Sequence, residues 1–152
     1  MNKTLFFIAL VAIITATSCN NNSGKNEQAS NADSINLNTE NPVVLIYNFY
    51  GTHRCPSCIA IEEATTKTLD SCFSGQVKSG IIKRYSVNID EEANAKICEK
   101  YQAFGSGIFV TQVLKGKEKT TDLTGSGFKF ALHKKEKFIE ILKLTIDSLL
   151  KQ

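Results

Sequence analysis

The sequence contains no tryptophan, only two prolines and only two histidines. Its formal net charge of +3 is mild, so it lacks the strong basic excess that is typical of nucleic-acid-binding proteins. The most apolar stretch, residues 5–14, is shorter than the roughly 20 residues that a membrane-spanning helix requires. The scarcity of histidine, together with a single pair of closely spaced cysteines, also gives no support for a closed zinc site with four ligands. We therefore expect no nucleic-acid partner and no resident metal.

The first 18 residues have the pattern of an export signal. Lys3 supplies positive charge, an apolar core follows, and small residues directly precede Cys19. This order resembles the lipobox of bacterial lipoproteins, in which a peptidase cuts before the cysteine and that cysteine is lipidated. The alternative is an ordinary secretory signal that is cut near the same place. The resemblance implies a lipid anchor at Cys19 that holds the chain in the cell envelope, at the outer membrane facing the periplasm.

Residues 19–41 are predicted to form the lipidated cysteine and a flexible linker. The segment is rich in Asn and Ser, and Ile35 and Leu37 are its only large apolar side chains. Such a composition cannot bury enough apolar surface to offset the entropy lost on ordering. The remaining residues, 42–152, are sufficient for one domain with one core.

Hydrophobic periodicity predicts alternating strands and helices in this domain. The strands are expected at residues 43–50, 80–89, 108–114 and 117–123, and the helices at 56–73, 90–101 and 134–150. The order β-α-β-α-β-β-α predicts an α/β fold of three layers, with a mainly parallel sheet and an antiparallel hairpin at its edge. The expected core positions of the first and last helices are Ile61, Thr65, Leu69 and Phe73, and Phe138, Leu142, Ile146 and Leu149. The glycines at 125 and 127 predict a turn.

Two cysteines stand at the start of the first predicted helix, directly after the first strand. Cys55 occupies the expected N-cap, and Pro56 occupies the first helical position, where its missing N–H costs nothing. Cys58 follows after one turn, so both sulfur atoms share one helix face and can form a small disulfide ring. The spacing and context are typical of a redox-active CxxC motif, although a static disulfide and half of a metal site use the same residues.

The charges around this motif favour a thiolate at Cys55. A helix N-terminus is partly positive, Arg54 adds a full positive charge, and His53 adds another when it is protonated. Such surroundings lower the pKa of a cysteine and make it nucleophilic. We therefore interpret Cys55 as the attacking thiol and Cys58 as the resolving thiol.

The order of elements, together with this motif, resembles the thioredoxin fold. The residues that carry the resemblance are the CxxC, the segment 87–91 before the second helix, Tyr101 and the hairpin glycine Gly116. The pattern Gly51-x-x-Arg54-Cys55-x-x-Cys58-x-x-Ile61-Glu62 is similar to that of a family of small thioredoxin-like bacterial lipoproteins, known as nitrophenyl-compound nitroreductase subunits. The residues themselves indicate a thiol pair and no site for a nitroaromatic or a flavin, so we expect no cofactor.

Three positions depart from the thioredoxin pattern. Arg54 stands where thioredoxins carry a tryptophan, and Asn48 is the nearest residue to their buried aspartate. Their cis-proline, which faces the disulfide, would fall at Gly107 or Ile108. The resemblance implies that Gly107 and Ile108 form a loop that faces the substrate, with capture and release that differ from those of thioredoxin.

Structural roles are expected for the remaining cysteines and for the basic residues. Cys72 and Cys98 are expected to be buried, unpaired side chains on opposite faces of the sheet. The alternative is a second disulfide between them. His133 is expected at the surface. A group of lysines is expected to form a solvated face, with an acidic partner or lipid head groups as the alternative: Lys129, Lys134, Lys135 and Lys137.

Three functional hypotheses follow. The first is a membrane-tethered thiol–disulfide oxidoreductase that exchanges electrons with protein disulfides or thiols of the envelope through Cys55. The second is a carrier of a soft metal ion such as Cu(I), held by Cys55, Cys58 and His53. The third is a docking subunit of a reductase system that keeps the fold without catalysis.

Overall fold

A computed structural model describes residues 40–151. The predicted signal segment, the predicted lipidation site at Cys19 and most of the predicted linker lie outside the described residues. Within the described part, the strands are Val43–Tyr50 (β1), Ile82–Asn88 (β2), Gly107–Leu114 (β3) and Lys117–Asp122 (β4). The helices are Pro56–Cys72 (α1), Ser74–Lys78 (α2), Ala95–Tyr101 (α3, preceded by the 3-10 turn Glu92–Asn94), Thr124–Phe130 (α4) and Lys135–Leu150 (α5).

The four strands form one mixed sheet in the order β2-β1-β3-β4. β1 runs parallel to β2 and antiparallel to β3, and β3 forms an antiparallel hairpin with β4. The mixed sheet is confirmed, but the expectation of a mainly parallel sheet is wrong. α3 has 7 residues, which rise only about 10 Å, whereas a parallel β3 would require the chain to return along a strand of about 25 Å. The chain therefore enters β3 at the end of β1.

Alternate side chains of β1 enter two separate cores on the two faces of the sheet. Val44 and Ile46 pack with α1, α4 and α5, whereas Leu45, Tyr47 and Phe49 pack with α3. The protein thus has the three-layer α/β/α architecture of a thioredoxin-like fold. It also places the helices of Cys72 and Cys98 on opposite faces, as predicted.

The predicted core faces of α1 and α5 are confirmed, because all eight residues are buried. Polar members of this core are paired locally. Thr65 donates its hydroxyl to the Ile61 carbonyl at 2.8 Å, and Thr68 donates to the Ala64 carbonyl at 2.8 Å. These bonds within α1 satisfy hydroxyl groups that would otherwise be buried without a partner.

The predicted turn around Gly125 and Gly127 is wrong, because both residues belong to α4. A Cβ atom on Gly127 would lie 2.9 Å from Cδ1 of Ile61, so the glycine allows α4 to approach α1 closely. The close packing of two helices thus explains a glycine that the local sequence suggests is a turn. The predicted second strand also includes Ile81, but this residue precedes β2 and is 39% exposed.

Candidate functional site

The CxxC motif lies where β1 passes into α1. Cys55 is the N-cap residue, with an extended backbone at φ −81° and ψ 157°, and Pro56 begins the helix. Cys55 and Cys58 form a disulfide with their Cα atoms 5.1 Å apart. The predicted placement of the motif is therefore confirmed, and the pair has the geometry that thiol–disulfide chemistry requires.

The two sulfur atoms are in different environments. The Cys55 Sγ accepts a hydrogen bond from the Cys58 backbone N–H at 3.2 Å. Cys55 is partly exposed, whereas Cys58 is buried at 9% exposure. A negative charge on Cys55 would thus meet a backbone donor and the positive end of α1, at a position that an outside molecule can reach.

Asp90 fixes the loop that leads into the motif. Its carboxylate accepts the Thr52 backbone N–H at 2.7 Å, and this backbone hydrogen bond, with a further contribution from the charge of His53, lowers the pKa of Asp90. The sequence predicts a helix that begins at Asp90, but α3 begins only at Ala95. Asp90 therefore holds the loop of the motif and does not stabilise the helix N-terminus. The side chain of His53 is exposed, and its effect on Cys55 stays a prediction.

Arg54 is bound on two sides. Its Nη2 donates to the Glu62 carboxylate, and its guanidinium carbon lies 4.6 Å from the centroid of the Tyr50 ring. The side chain is 31% exposed. The positive charge of Arg54, the residue directly before Cys55 in the chain, is therefore shared with a carboxylate, a feature that the cysteine-centred pattern did not reveal.

Glu62 lies at the centre of a polar cluster between α1 and β2. Its Oε1 accepts from Nη2 of Arg84 and from the Ser86 hydroxyl, each at 3.1 Å. Arg84 also donates to Asn48 and to Thr66, at 3.4 and 2.6 Å. Burial opposes ionisation of Glu62, but hydrogen bonding and charge from Arg54, with help from Ser86 and Arg84, outweigh it and lower its pKa. Glu62 is therefore a carboxylate at neutral pH.

The signal for this cluster in the sequence is weak. Glu62 follows Cys58 by one helical turn, which places it beneath the motif. Its partner Arg84 comes from β2, 22 residues later, so only the folded chain brings the two together. Asn48, the nearest counterpart of the thioredoxin aspartate, is buried at 4% exposure and serves this cluster through Arg84.

Gly107 lies at the same end of the strands as the motif, since it pairs with Phe49 near the C-terminal end of β1. Ile108 is fully buried, its N–H donates to the Thr124 hydroxyl at 3.1 Å, and its carbonyl accepts from Leu123 at 2.9 Å. Ile108 is thus engaged within the domain. Gly107 is buried too, and a Cβ atom there would lie 2.8 Å from Oγ1 of Thr124. A substrate-facing role for this segment stays a prediction, and its exposed part is the loop before Gly107.

Apolar side chains are exposed in a groove beside the motif and in the loop before β3. Phe104, in the loop before β3, is 88% exposed. A groove of about 300 Å³ begins at Pro56, next to Cys55, and is lined by Ile59, Ala60, Leu132 and an ion pair of Glu63 with Lys135. The local sequence does not reveal the groove, because Ile59 and Leu132 are far apart in the chain and meet only when it folds.

The other two cysteines of residues 40–151, Cys72 and Cys98, are free and do not pair with each other. Cys98 is buried as predicted, and burial raises the pKa of its thiol, which makes it a poor nucleophile. The expectation of burial is wrong for Cys72, which is exposed because it ends α1 on the outward face, one residue before the buried Phe73.

The predicted surface residues are confirmed as such. His133 is exposed, and the lysines of the predicted solvated face are exposed or partly exposed. Two of these lysines form ion pairs with neighbouring carboxylates: Lys135 with Glu63 and Lys137 with Glu140, each at 3.0 Å. Such pairs are typical of a solvated face.

Within residues 40–151, no cluster of three or more His, Cys, Asp or Glu side chains has the arrangement of a metal site. None of the helices in this part of the chain is long and apolar enough to cross a membrane.

Fold and site together define an α/β protein of thioredoxin-like architecture with a CxxC disulfide at the start of its first helix. No known family model matches the chain, and no curated protein is significantly similar to it.

Proposed function

We propose that this protein is a thiol–disulfide oxidoreductase that uses Cys55 as nucleophile and Cys58 as resolving thiol. The observation that carries the proposal is the Cys55–Cys58 pair at the N-terminus of α1, with Cys55 partly exposed and its sulfur hydrogen-bonded to the Cys58 N–H. The helix end and the N–H donor stabilise a thiolate at Cys55, and the thiolate is the form that attacks disulfides.

In the reducing direction, the Cys55 thiolate attacks one sulfur of a substrate disulfide. The substrate S–S bond breaks, the departing sulfur takes a proton, and Cys55 is left in a mixed disulfide. The Cys58 thiol then loses its proton and attacks the Cys55 sulfur, which releases the second substrate thiol. The substrate gains two electrons and the protein pair loses two, so the disulfide of Cys55 with Cys58 is the oxidised product. The reverse sequence oxidises a substrate dithiol.

The surface around Cys55 suits a protein substrate. Ile59 and Leu132, exposed at 42% and 41%, line the groove that begins at Pro56, and Phe104 in the loop before β3 is 88% exposed. A small thiol would not need this apolar area. Exposed apolar area of this kind is typical of surfaces that bind other proteins. We therefore infer that the substrates are disulfides or thiols of envelope proteins.

We also propose that the domain is tethered to the envelope membrane by a lipid on Cys19. The support is the small-residue pattern before Cys19 and the polar composition of residues 20–41. A linker of this kind would allow the domain to reach partners away from the membrane surface.

A redox titration tests the proposed chemistry. We expect the Cys55–Cys58 pair to equilibrate reversibly with glutathione, with a potential between about −300 and −120 mV, the range of catalytic pairs. The fraction of reduced pair is measured by alkylation and mass spectrometry, in a Cys72→Ser background that removes the exposed free thiol. A potential well below −300 mV would identify a structural disulfide. Stoichiometric copper retained by the reduced protein after purification would instead favour the metal carrier.

A further inference from the structure

We propose that Glu62 is a positioning residue that sets the reduction potential of the Cys55–Cys58 pair by balancing the charge of Arg54. The inference rests on the proposed redox function and deepens it. Glu62 does not act on the sulfur atoms itself, but on the cation that directly precedes Cys55 in the chain.

The contacts of Glu62 are divided between two arginines. One carboxylate oxygen accepts from Arg54, and the other accepts from Arg84 and from Ser86. The side chains are partly buried, with 31%, 25% and 22% exposure for Arg54, Glu62 and Arg84. Charges in such a position are screened less by salt than charges at the open surface.

Arg54 depends on Glu62 more than Arg84 does. Arg84 has further hydrogen-bond acceptors in Asn48 and Thr66, and it also experiences the charge of Asp70. Among the described residues, Arg54 contacts one carboxylate, that of Glu62, and the face of the Tyr50 ring. Loss of the negative charge at position 62 would therefore leave the positive charge of Arg54, the residue that directly precedes Cys55 in the chain, without this carboxylate partner.

The direction of the change in reduction potential follows from which redox form of the pair carries a charge on Cys55. An unbalanced cation stabilises the Cys55 thiolate, which exists only when the pair is reduced. A more stable reduced form means a higher reduction potential and a stronger oxidant. In the native protein, Glu62 thus holds the potential lower than Arg54 alone would set it.

The test compares Glu62→Gln with wild type in glutathione equilibria at low salt. We expect the equilibrium constant for reduction to rise three- to tenfold, where tenfold corresponds to about 30 mV for a two-electron couple, and the pKa of Cys55 to fall. Arg54→Gln should shift both quantities in the opposite direction. Glu136→Gln is the matched control, since it removes one carboxylate from an exposed ion pair with Lys67 and should leave both unchanged.

The double variant Arg54→Gln, Glu62→Gln separates positioning from a general charge effect. If Glu62 acts through Arg54, the rise caused by Glu62→Gln disappears when it is measured in the Arg54→Gln background. A rise of equal size in that background would overturn the inference, as would an unchanged potential in the single variant. If the ion pair is merely structural, Glu62→Gln would lower the unfolding temperature without changing the reduction potential. If the wild-type pair fails to titrate reversibly, the proposed function itself is wrong.

Discussion

The Cys19→Ala variant is expected to disappear from the membrane fraction, or to accumulate as an uncut precursor. Lipidation requires the cysteine sulfur, and each buried CH₂ of an acyl chain contributes about 0.8 kcal/mol to membrane binding. Loss of the proposed lipid is therefore expected to abolish stable anchoring. Fractionation of cells that express the full chain measures the effect, and incorporation of a labelled fatty acid into the wild type shows the modification directly.

Cys72→Ala is the control for this experiment, because it removes a different cysteine, the exposed Cys72, and should leave membrane association unchanged. The unfolding transition of the Cys19→Ala domain should match that of the wild type, since the two described cores are built from residues between 43 and 150. An unlabelled wild type would show that the chain carries an ordinary secretory signal instead.

Phe138→Ala should lower the free energy of unfolding by about 3–5 kcal/mol, the usual range for removing a buried phenylalanine. The side chain is completely buried between α5 and the sheet, in the core that also contains Ile61 of α1. The loss is a large fraction of the roughly 5–15 kcal/mol typical of a whole domain. Urea denaturation followed by circular dichroism measures it.

Leu144→Ala is the matched control on the same helix. Leu144 is 58% exposed, so its truncation should change the free energy of unfolding by no more than about 0.5 kcal/mol. Equal effects at the two positions would mean that α5 does not pack on the sheet through Phe138.

Local patterns in the sequence predict much of this fold. The N-cap at Cys55 and the core face of α5 follow from features that are close together in the chain, and the structure confirms both. The hairpin glycine Gly116 has φ 75°, a left-handed conformation that glycine adopts without strain. Such features need no knowledge of distant residues.

Long-range features could not be predicted in the same way. The direction of β3 depends on how far the short α3 carries the chain, and α4 forms across glycines that favour a turn locally. In the site, the sequence predicts the thiol pair but not the partner of Arg54. Glu62 and Arg84 meet only when α1 packs on β2, so a pattern centred on the cysteines could not reveal that Arg54 shares its charge.

Trapping of mixed disulfides tests the central claim most directly. Both variants are made in the full chain with Cys72→Ser, so that the exposed thiol cannot react. With Cys58→Ser, the intermediate at Cys55 cannot be resolved, and we expect complexes with envelope proteins that dissociate in dithiothreitol. With Cys55→Ser, no such complexes should form. Complexes that require Cys58 would reverse the two roles, and equal amounts in both variants would contradict the assignment of Cys55 as the nucleophile.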